Sequence, residues 1–258
     1  MQSKGARRVY FVSDIHHELR KDKKKSEIDI IPDDSTTTNY LALCGDIGNP
    51  FKPNYENFIR RHSGRFKHVF VIAGNHEYYS HRKKRTMIET DEKIRKIASE
   101  CTNVTFLQTD TFVIDDTMFI GCTLWTEVDD YAKVIMNDYS KIYVAARRQL
   151  LKPDDILKLH TTMKKWLATT IDDSTAPQII VLTHHAPSSL MLGENSKQFE
   201  RYYSSSCEHL FKPPVIAWIS GHTHECVDVR INGIQSVSNC FGYPGQKTNV
   251  DVKKYIAI

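Results

Sequence analysis

Short apolar runs, each cut off by a glycine or a polar residue, recur along this chain and alternate with stretches of helical period. The plainest is Val69-Phe70-Val71-Ile72, closed by Ala73-Gly74 and followed by Asn75-His76-Glu77. Four apolar residues bounded by a glycine predict a buried strand. Runs of the same kind predict strands at 9–13, 40–44, 179–183 and 215–220, and shorter β segments at 104–107, 112–114 and 118–123. Asp115-Asp116 reads as the turn between the last two, and Asn232-Gly233 as a hairpin turn between strands at 227–231 and 234–238. A final strand is expected at 255–258. Helical spacing appears at 54–62, 86–101, 138–151 and 154–171, with Pro153 breaking the last pair apart.

The stretches between are polar. Residues 20–39 read as a surface loop, and the lysine run 21–25 as a solvated part of it. Residues 188–206 are polar with Phe199, Tyr202 and Tyr203 interleaved, which suits either a lid facing a substrate or a disordered surface loop. Trp125 is expected to line a pocket rather than fill the core. His160, among Leu157, Leu159, Met163 and Trp166, is expected to be packed or superficial rather than a ligand. With no internal repeat and no low-complexity linker, residues 1–258 read as one domain.

Composition narrows the class. The 258 residues are 40% hydrophobic and 26% charged, as in an ordinary water-soluble protein. Thirty-five Lys and Arg against 31 Asp and Glu give a formal charge of +4, too mild for a nucleic-acid scaffold but suited to a small anionic substrate. Six scattered cysteines without CxxC spacing read as reduced thiols. No run approaches the ~20 apolar residues of a membrane span, and the N-terminus has no signal-like apolar core. The expected location is cytoplasmic, with no membrane partner.

The candidate chemistry sits at strand ends. The strands deliver Asp14 and His16, then Asp46, then Asn75 and His76, then His184, then His222 and His224. Residues two apart on a tight turn point the same way, so Asp14 and His16 can converge on one cation. Carboxylate, imidazole and amide ligands without thiolate suit two borderline cations rather than a structural zinc site. Asp46 is the natural bridge, because one carboxylate can serve both ions.

The order Asp14-x-His16, Gly45-Asp46, Gly74-Asn75-His76-Glu77, His184 and Gly221-His222-x-His224 resembles the calcineurin-like metallophosphoesterase superfamily. The resemblance implies a four-layer α-β-β-α sandwich with two mixed β-sheets and the site at one edge. It implies that Asp14, His16, Asp46 and His224 bind one metal, that Asp46, Asn75, His184 and His222 bind the other, and that His76 stands beside the leaving group. His185 is not a ligand in that pattern. The implied cofactors are two divalent or trivalent ions (manganese, iron or zinc, manganese first in vitro). The segments Ser238–Gly245 and Gly121–Thr126 look similar to small bacterial and phage members.

One departure is informative. The superfamily's Ser/Thr protein phosphatases continue the second motif as GDxxDRG and place an arginine before the third, where this chain has Asn49 and Ala73. The aspartate that would orient His76 and the arginines that grip a phosphomonoester are both missing. The expected activity is therefore hydrolysis of small phosphodiesters, nucleotides or related phosphoesters by a hydroxide shared between two cations. The alternatives are a Ser/Thr protein phosphatase, a non-catalytic scaffold, or a nuclease on DNA or RNA using residues 21–25 and 82–85 as phosphate contacts. Nucleic acid is the less favoured partner.

Overall fold

The structure, a computed structural model, describes residues 6–20, 28–33, 36–80, 83–144, 148–194 and 196–258. In chain order the elements begin β1 (Arg7–Val12), β2 (Thr38–Cys44), α1 (Pro53–Ser63), β3 (His68–Ile72) and α2 (Met87–Ser99). Then come β4 (Val104–Phe106), β5 (Asp110–Ile114), β6 (Thr117–Cys122), α3 (Ala132–Ile135), α4 (Asp138–Lys141), β7 (Tyr143–Val144) and β8 (Gln149–Leu150). The remainder are α5 (Pro153–Asp172), β9 (Gln178–Thr183), α6 (Glu200–Tyr203), β10 (Val215–Ser220), β11 (Asp228–Ile231), β12 (Ile234–Ser238) and β13 (Tyr255–Ala257).

Two mixed sheets carry the molecule. The first has the order β13-β1-β2-β3-β4, with β1 to β4 parallel and β13 antiparallel on the edge of β1. The second has the order β11-β12-β10-β9-β6-β5, parallel at its centre and antiparallel at both margins. Alternation along the strands explains how they stack. Val9, Phe11, Tyr40, Ala42, Phe70 and Ile72 of the first sheet share one dry cluster with Phe119, Ile180, Leu182 and Ile219 of the second. Phe70 lies stacked on Phe119 at 4.0 Å across that interface. The intervening residues Tyr10, Leu41, Leu43, Val69 and Val71 point the other way. They join an outer cluster with Phe58 and Ile59 of α1 and Ile94 and Ile97 of α2. Ile156, Met163 and Leu167 of α5 take the same part for Ile179 and Val181 of β9. Sheets buried on both faces need near-continuous apolar runs, and that is why the sequence shows them.

Local chemistry sets the boundaries. Thr86 caps α2 through a reciprocal exchange with Glu89, and Pro153 opens α5 at a position where its missing N–H costs nothing. Asn232 and Gly233 both take positive φ, 49° and 79°, which matches the right-handed twist of a two-residue hairpin between β11 and β12. The expected helix at 138–151 is not formed as such. Among the described residues of that span only Asp138–Lys141 is helical, and Tyr143–Val144 pairs antiparallel with Gln149–Leu150. The aromatic and β-branched pair at 143–144 favours strand, and an isolated bridge from Thr86 to Tyr143 holds it in place. All six cysteines are free. No helix among the described residues is long and apolar enough to cross a membrane.

His62 on α1 illustrates how tightly this frame is satisfied. Its Nδ1 donates to Phe58 O at 2.8 Å and its Nε2 accepts from Ile30 N–H at 3.1 Å, so the ring fits only as a neutral imidazole. Burial holds its pKa down at about 4 against an ordinary 6.5. Protonation therefore favours the unfolded chain, and His62's contribution is fully present above pH 6.5 and lost as pH falls toward 4. The whole effect is at most about 3 kcal/mol. Chemical denaturation at pH 7.5 and pH 4.5 should show a larger acid loss for the natural protein than for His62→Gln. Equal losses would remove His62 from the balance.

Candidate metal centre

The C-terminal ends of β1, β2 and β3 in one sheet and of β9 and β10 in the other meet at a single edge. The backbone there is unusual. Asp14, His16, Asp46, His222 and His224 all have positive φ, between 52° and 68°. Each such residue costs roughly 1–2 kcal/mol relative to right-handed geometry. The turn this produces stops each strand abruptly and swings its side chain into the gap between the sheets. Two glycines make room. A Cβ on Gly74 would lie 2.2 Å from Asp46 Oδ1, and one on Gly45, where φ is +85°, would lie 2.4 Å from His184 Nδ1.

The side chains converge closely. His16 Nε2 lies 3.1 Å from His224 Nε2 and 3.7 Å from Asp46 Oδ2, while His224 Nε2 lies 3.4 Å from Asp14 Oδ1. On the other side His184 Nε2 is 3.5 Å from Asp46 Oδ1, 3.2 Å from Asn75 Oδ1 and 3.2 Å from His222 Nδ1. Among the described residues, Asp46 is thus the carboxylate that faces both groups. All eight sequence-predicted site residues meet here. His76 also approaches His16 and Asp46, forming a third trio within 4.8 Å.

Outer partners fix which atoms face inward. His184 Nδ1 donates to Cys44 O at 2.8 Å, and His224 Nδ1 donates to Gln246 Oε1 at 2.9 Å. Asn75 Nδ2 donates to Asp138 Oδ1 at 2.8 Å, which turns the amide oxygen toward the site. His16 Nδ1 faces Glu18 Oε1 at 3.3 Å. The inward atoms of His16, His184 and Asn75 are therefore lone-pair acceptors, while His224, although burial works against its charge, is raised by its hydrogen bond to Asp14. His184 Nε2 against Asn75 Oδ1 is an acceptor set against an acceptor with no proton between them. Such a pair repels unless a cation stands beside it, and His222 Nε2 is a buried nitrogen with no partner. The donor set, imidazole and carboxylate with one amide and no sulfur, fits borderline divalent ions.

Charge is arranged to match. Burial pushes His184 down to about 4 and lowers His16 and His222, leaving neutral rings with a free lone pair. Burial opposes ionisation of Asp14, but the hydrogen bond and charge of His224 hold its carboxyl well below the usual range. Asp46 moves the other way, raised by burial and then by the carboxylates of Glu77 and Asp14. Glu77 is a clamp rather than a ligand. Its carboxylate accepts the N–H groups of Asp46, Ile47, Gly48 and Gly74 at 2.7–3.3 Å, and so fixes the two loops that carry Asp46 and Asn75.

A cleft of about 680 Å³ opens over this edge. Ile135, Met136, Phe199, Tyr203 and Tyr243 give it apolar walls, and Lys247 is the one Lys or Arg among its described lining residues. Tyr203 packs edge-on to His222 at 4.7 Å, and the Tyr243 hydroxyl lies 3.3 Å from His76 Nε2. Trp125, expected on the pocket wall, is instead 1% exposed in the core between Tyr78 and His185. The chain bends at Leu124 and Trp125, both with positive φ, and this turns the indole inward. Tyr202 points to Asp129 and does not line the cleft. His185 is buried, donates to Thr123 O and packs at a tilt against His222 at 4.1 Å. His160 is buried too, bonded to Leu124 O. Of the basic runs, residues 21–25 and 82 lie outside the described residues, and Arg85 rests on the ring of Phe51 at 3.7 Å.

Sequence reasoning missed Glu18, Asp138, Tyr243 and Gln246. Glu18, two residues beyond His16, carried the nearest thing to a signal. The four-way clamp of Glu77 gives a direct test. In Glu77→Gln the amide NH₂ would face backbone donors that now meet a carboxylate oxygen, at a cost of about 1–3 kcal/mol. A lower denaturation midpoint with unchanged m-value is the expected result, and a midpoint equal to the natural protein's would refute the clamp.

Comparison with known proteins agrees with this geometry. The sequence profile of the calcineurin-like phosphoesterases matches residues 7–226. The uncharacterized protein L509 of Acanthamoeba polyphaga mimivirus is 31% identical over 269 residues, spanning 96% of this chain and 95% of its own length. Among solved structures, the phosphopantetheinyl hydrolase PptH of Mycobacterium tuberculosis aligns over 93% of this chain and 91% of its own with a TM-score of 0.65 at 14% identity. A putative 5'-nucleotidase from Staphylococcus aureus aligns over 91% of this chain and 48% of its own with a TM-score of 0.50 at 15% identity. With the profile covering all five motifs and the two-sheet fold shared, the chain belongs to the calcineurin-like phosphoesterase family.

Proposed function

We propose that this protein is a two-metal hydrolase of small phosphodiesters or nucleotide phosphoesters. The observation that carries the reading is the convergence of buried donor atoms on Asp46, with His184 Nε2 set against Asn75 Oδ1 at 3.2 Å, acceptor to acceptor, and His16 Nε2 3.1 Å from His224 Nε2. Asp14, His16, Asp46 and His224 would hold one ion, and Asp46, Asn75, His184 and His222 the other. Two such ions supply Lewis acidity, neutralising phosphoryl oxygens and lowering the pKa of an attacking water. His76 lines the cleft and offers a proton to the departing oxygen, a contribution typically of ~10²–10⁴-fold.

The cleft supports the substrate class. A phosphomonoester dianion is best met by guanidinium pairs, and the described lining has no arginine. Phe199 and Tyr203, with ring centroids 5.5 Å apart and planes tilted by 31°, form instead an aromatic wall beside His222, suited to a nucleobase or aryl group. Ser196 of the same 188–206 segment lines the cleft as well, which favours the substrate-facing alternative for that stretch.

Stripped of metal and reloaded with manganese, the protein should hydrolyse bis(4-nitrophenyl) phosphate and a cyclic nucleotide with higher kcat/KM than a phosphoserine peptide. A peptide ahead by tenfold, about 1.4 kcal/mol in transition-state binding, would return the chain to the protein phosphatases. Asp46→Asn should lose most bound metal and nearly all turnover while keeping its fold by circular dichroism. Two metals retained at a normal rate would defeat the bridging assignment. Tyr203→Ala should raise KM for a nucleotide about tenfold, and an unchanged KM would clear the wall of any role in base binding.

A further inference from the structure

Position 49 holds asparagine where the related protein phosphatases carry the aspartate that orients the proton-donating histidine. Asn49 does not stand in for it. Its Oδ1 accepts the N–H of Phe51 at 2.9 Å and stabilises the local turn. A carboxylate nevertheless reaches His76 from another direction. Glu18, on the turn just after β1, places Oε1 3.0 Å from His76 Nδ1, and its side chain is only 19% exposed. The same oxygen lies 3.3 Å from His16 Nδ1.

We propose that Glu18 is the positioning residue of His76, taking over from the first motif's turn the task that position 49 has lost. This rests on the reading of His76 as the proton donor. A carboxylate only accepts, so the proton on that side of the ring stays on Nδ1 and Nε2 is left to face the cleft. There it meets the Tyr243 hydroxyl at 3.3 Å, a mark of where a leaving oxygen would sit. Tyr79 lies against the ring at 4.2 Å and 31°, so the imidazole is held by a hydrogen bond at one end and a face contact along its length. In the reaction water adds to phosphorus as the bond to the departing oxygen breaks; that bond's electrons pass to the departing oxygen with the Nε2 proton, and the proton given up by the water restores His76 by way of solvent. Nδ1 keeps its proton throughout, and Glu18 holds the ring by that N–H. The shared oxygen also couples His76 to His16, tying the orientation of the proton donor to that of the metal cluster.

The experiment compares Glu18→Gln, His76→Ala and the double variant at equal bound metal. The probes are aryl phosphodiesters whose leaving groups run from 4-nitrophenol to phenol. Glu18→Gln should lose at least tenfold more rate on the phenyl ester than on the nitrophenyl ester. The double variant should be no slower than His76→Ala alone. Equal loss across the series, or losses that multiply, would overturn the proposal. In parallel, imidazole ¹⁵N spectra of the zinc-loaded protein should show His76 protonated at Nδ1, with that signature altered in Glu18→Gln. An unaltered His76 ring overturns the proposal even if no ester is cleaved. An altered ring in a protein that cleaves none of them upholds the contact and removes the hydrolase reading instead.

Discussion

Lone pairs pointing at lone pairs, in a place that water scarcely reaches, are the constraint around which this molecule is built. His16, His184 and Asn75 present acceptors to the same small space, and Asp14 and Asp46 add negative charge that His224 meets only in part. Much of the protein enforces this convergence. Five residues stay in left-handed backbone geometry, two glycines give up any side chain, and a buried glutamate spends its whole hydrogen-bonding capacity on four backbone N–H groups. Strain of this kind persists only where the surroundings over-determine it. Here the surroundings are two sheets buried on both faces, whose stiffness holds the edge open against its own repulsion.

Much of that frame was legible in the sequence, because buried parallel strands must be written as apolar runs and a chemical group at a strand end must follow directly. Val69–Ile72 followed by Gly74, Asn75 and His76 could be read at sight, and so could the Asn232-Gly233 hairpin. The misreadings have a common physical origin in tertiary context. Residues 138–151 carry enough helical spacing to suggest a helix, but a bridge to Thr86 draws Tyr143 into a strand. Trp125 follows a strand as a pocket residue would, yet positive φ at 124 and 125 reverses its direction. Glu18, Asp138, Tyr243 and Gln246 were beyond reach for another reason. Each acts by touching a residue distant in the chain, and a lone Glu or Gln in a loop looks the same whether or not an imidazole lies beside it.

The contrast between the inner and outer parts of the site explains what kind of variation the fold tolerates. The inner residues are locked by backbone geometry at five strand ends. The cleft walls come from short helices and loops, within 135–137, 196–203 and 243–249, that lie outside the two large sheets. Substituting Phe199 or Lys247 leaves the strand ends undisturbed, whereas any side chain at Gly74 collides with Asp46. The candidate ligands and the cleft walls thereby lie on different pieces of chain with different freedom to change.

The division of the two sheets along the chain also sets a temporal order. β1 to β4 precede residue 107, but β9, β10 and the histidines after them come only after residue 178, and β13 returns to pair with β1. A ribosome delivers these parts one after another, N-terminal first. Four of the seven candidate ligands, Asp14, His16, Asp46 and Asn75, exist long before the other three, and the first sheet waits for its edge partner until Tyr255–Ala257 has emerged. Assembly of the centre is therefore a late event in the life of each molecule, and a chain truncated before residue 222 carries Asp14, His16 and Asp46 with His184 but neither His222 nor His224 to face them across the gap.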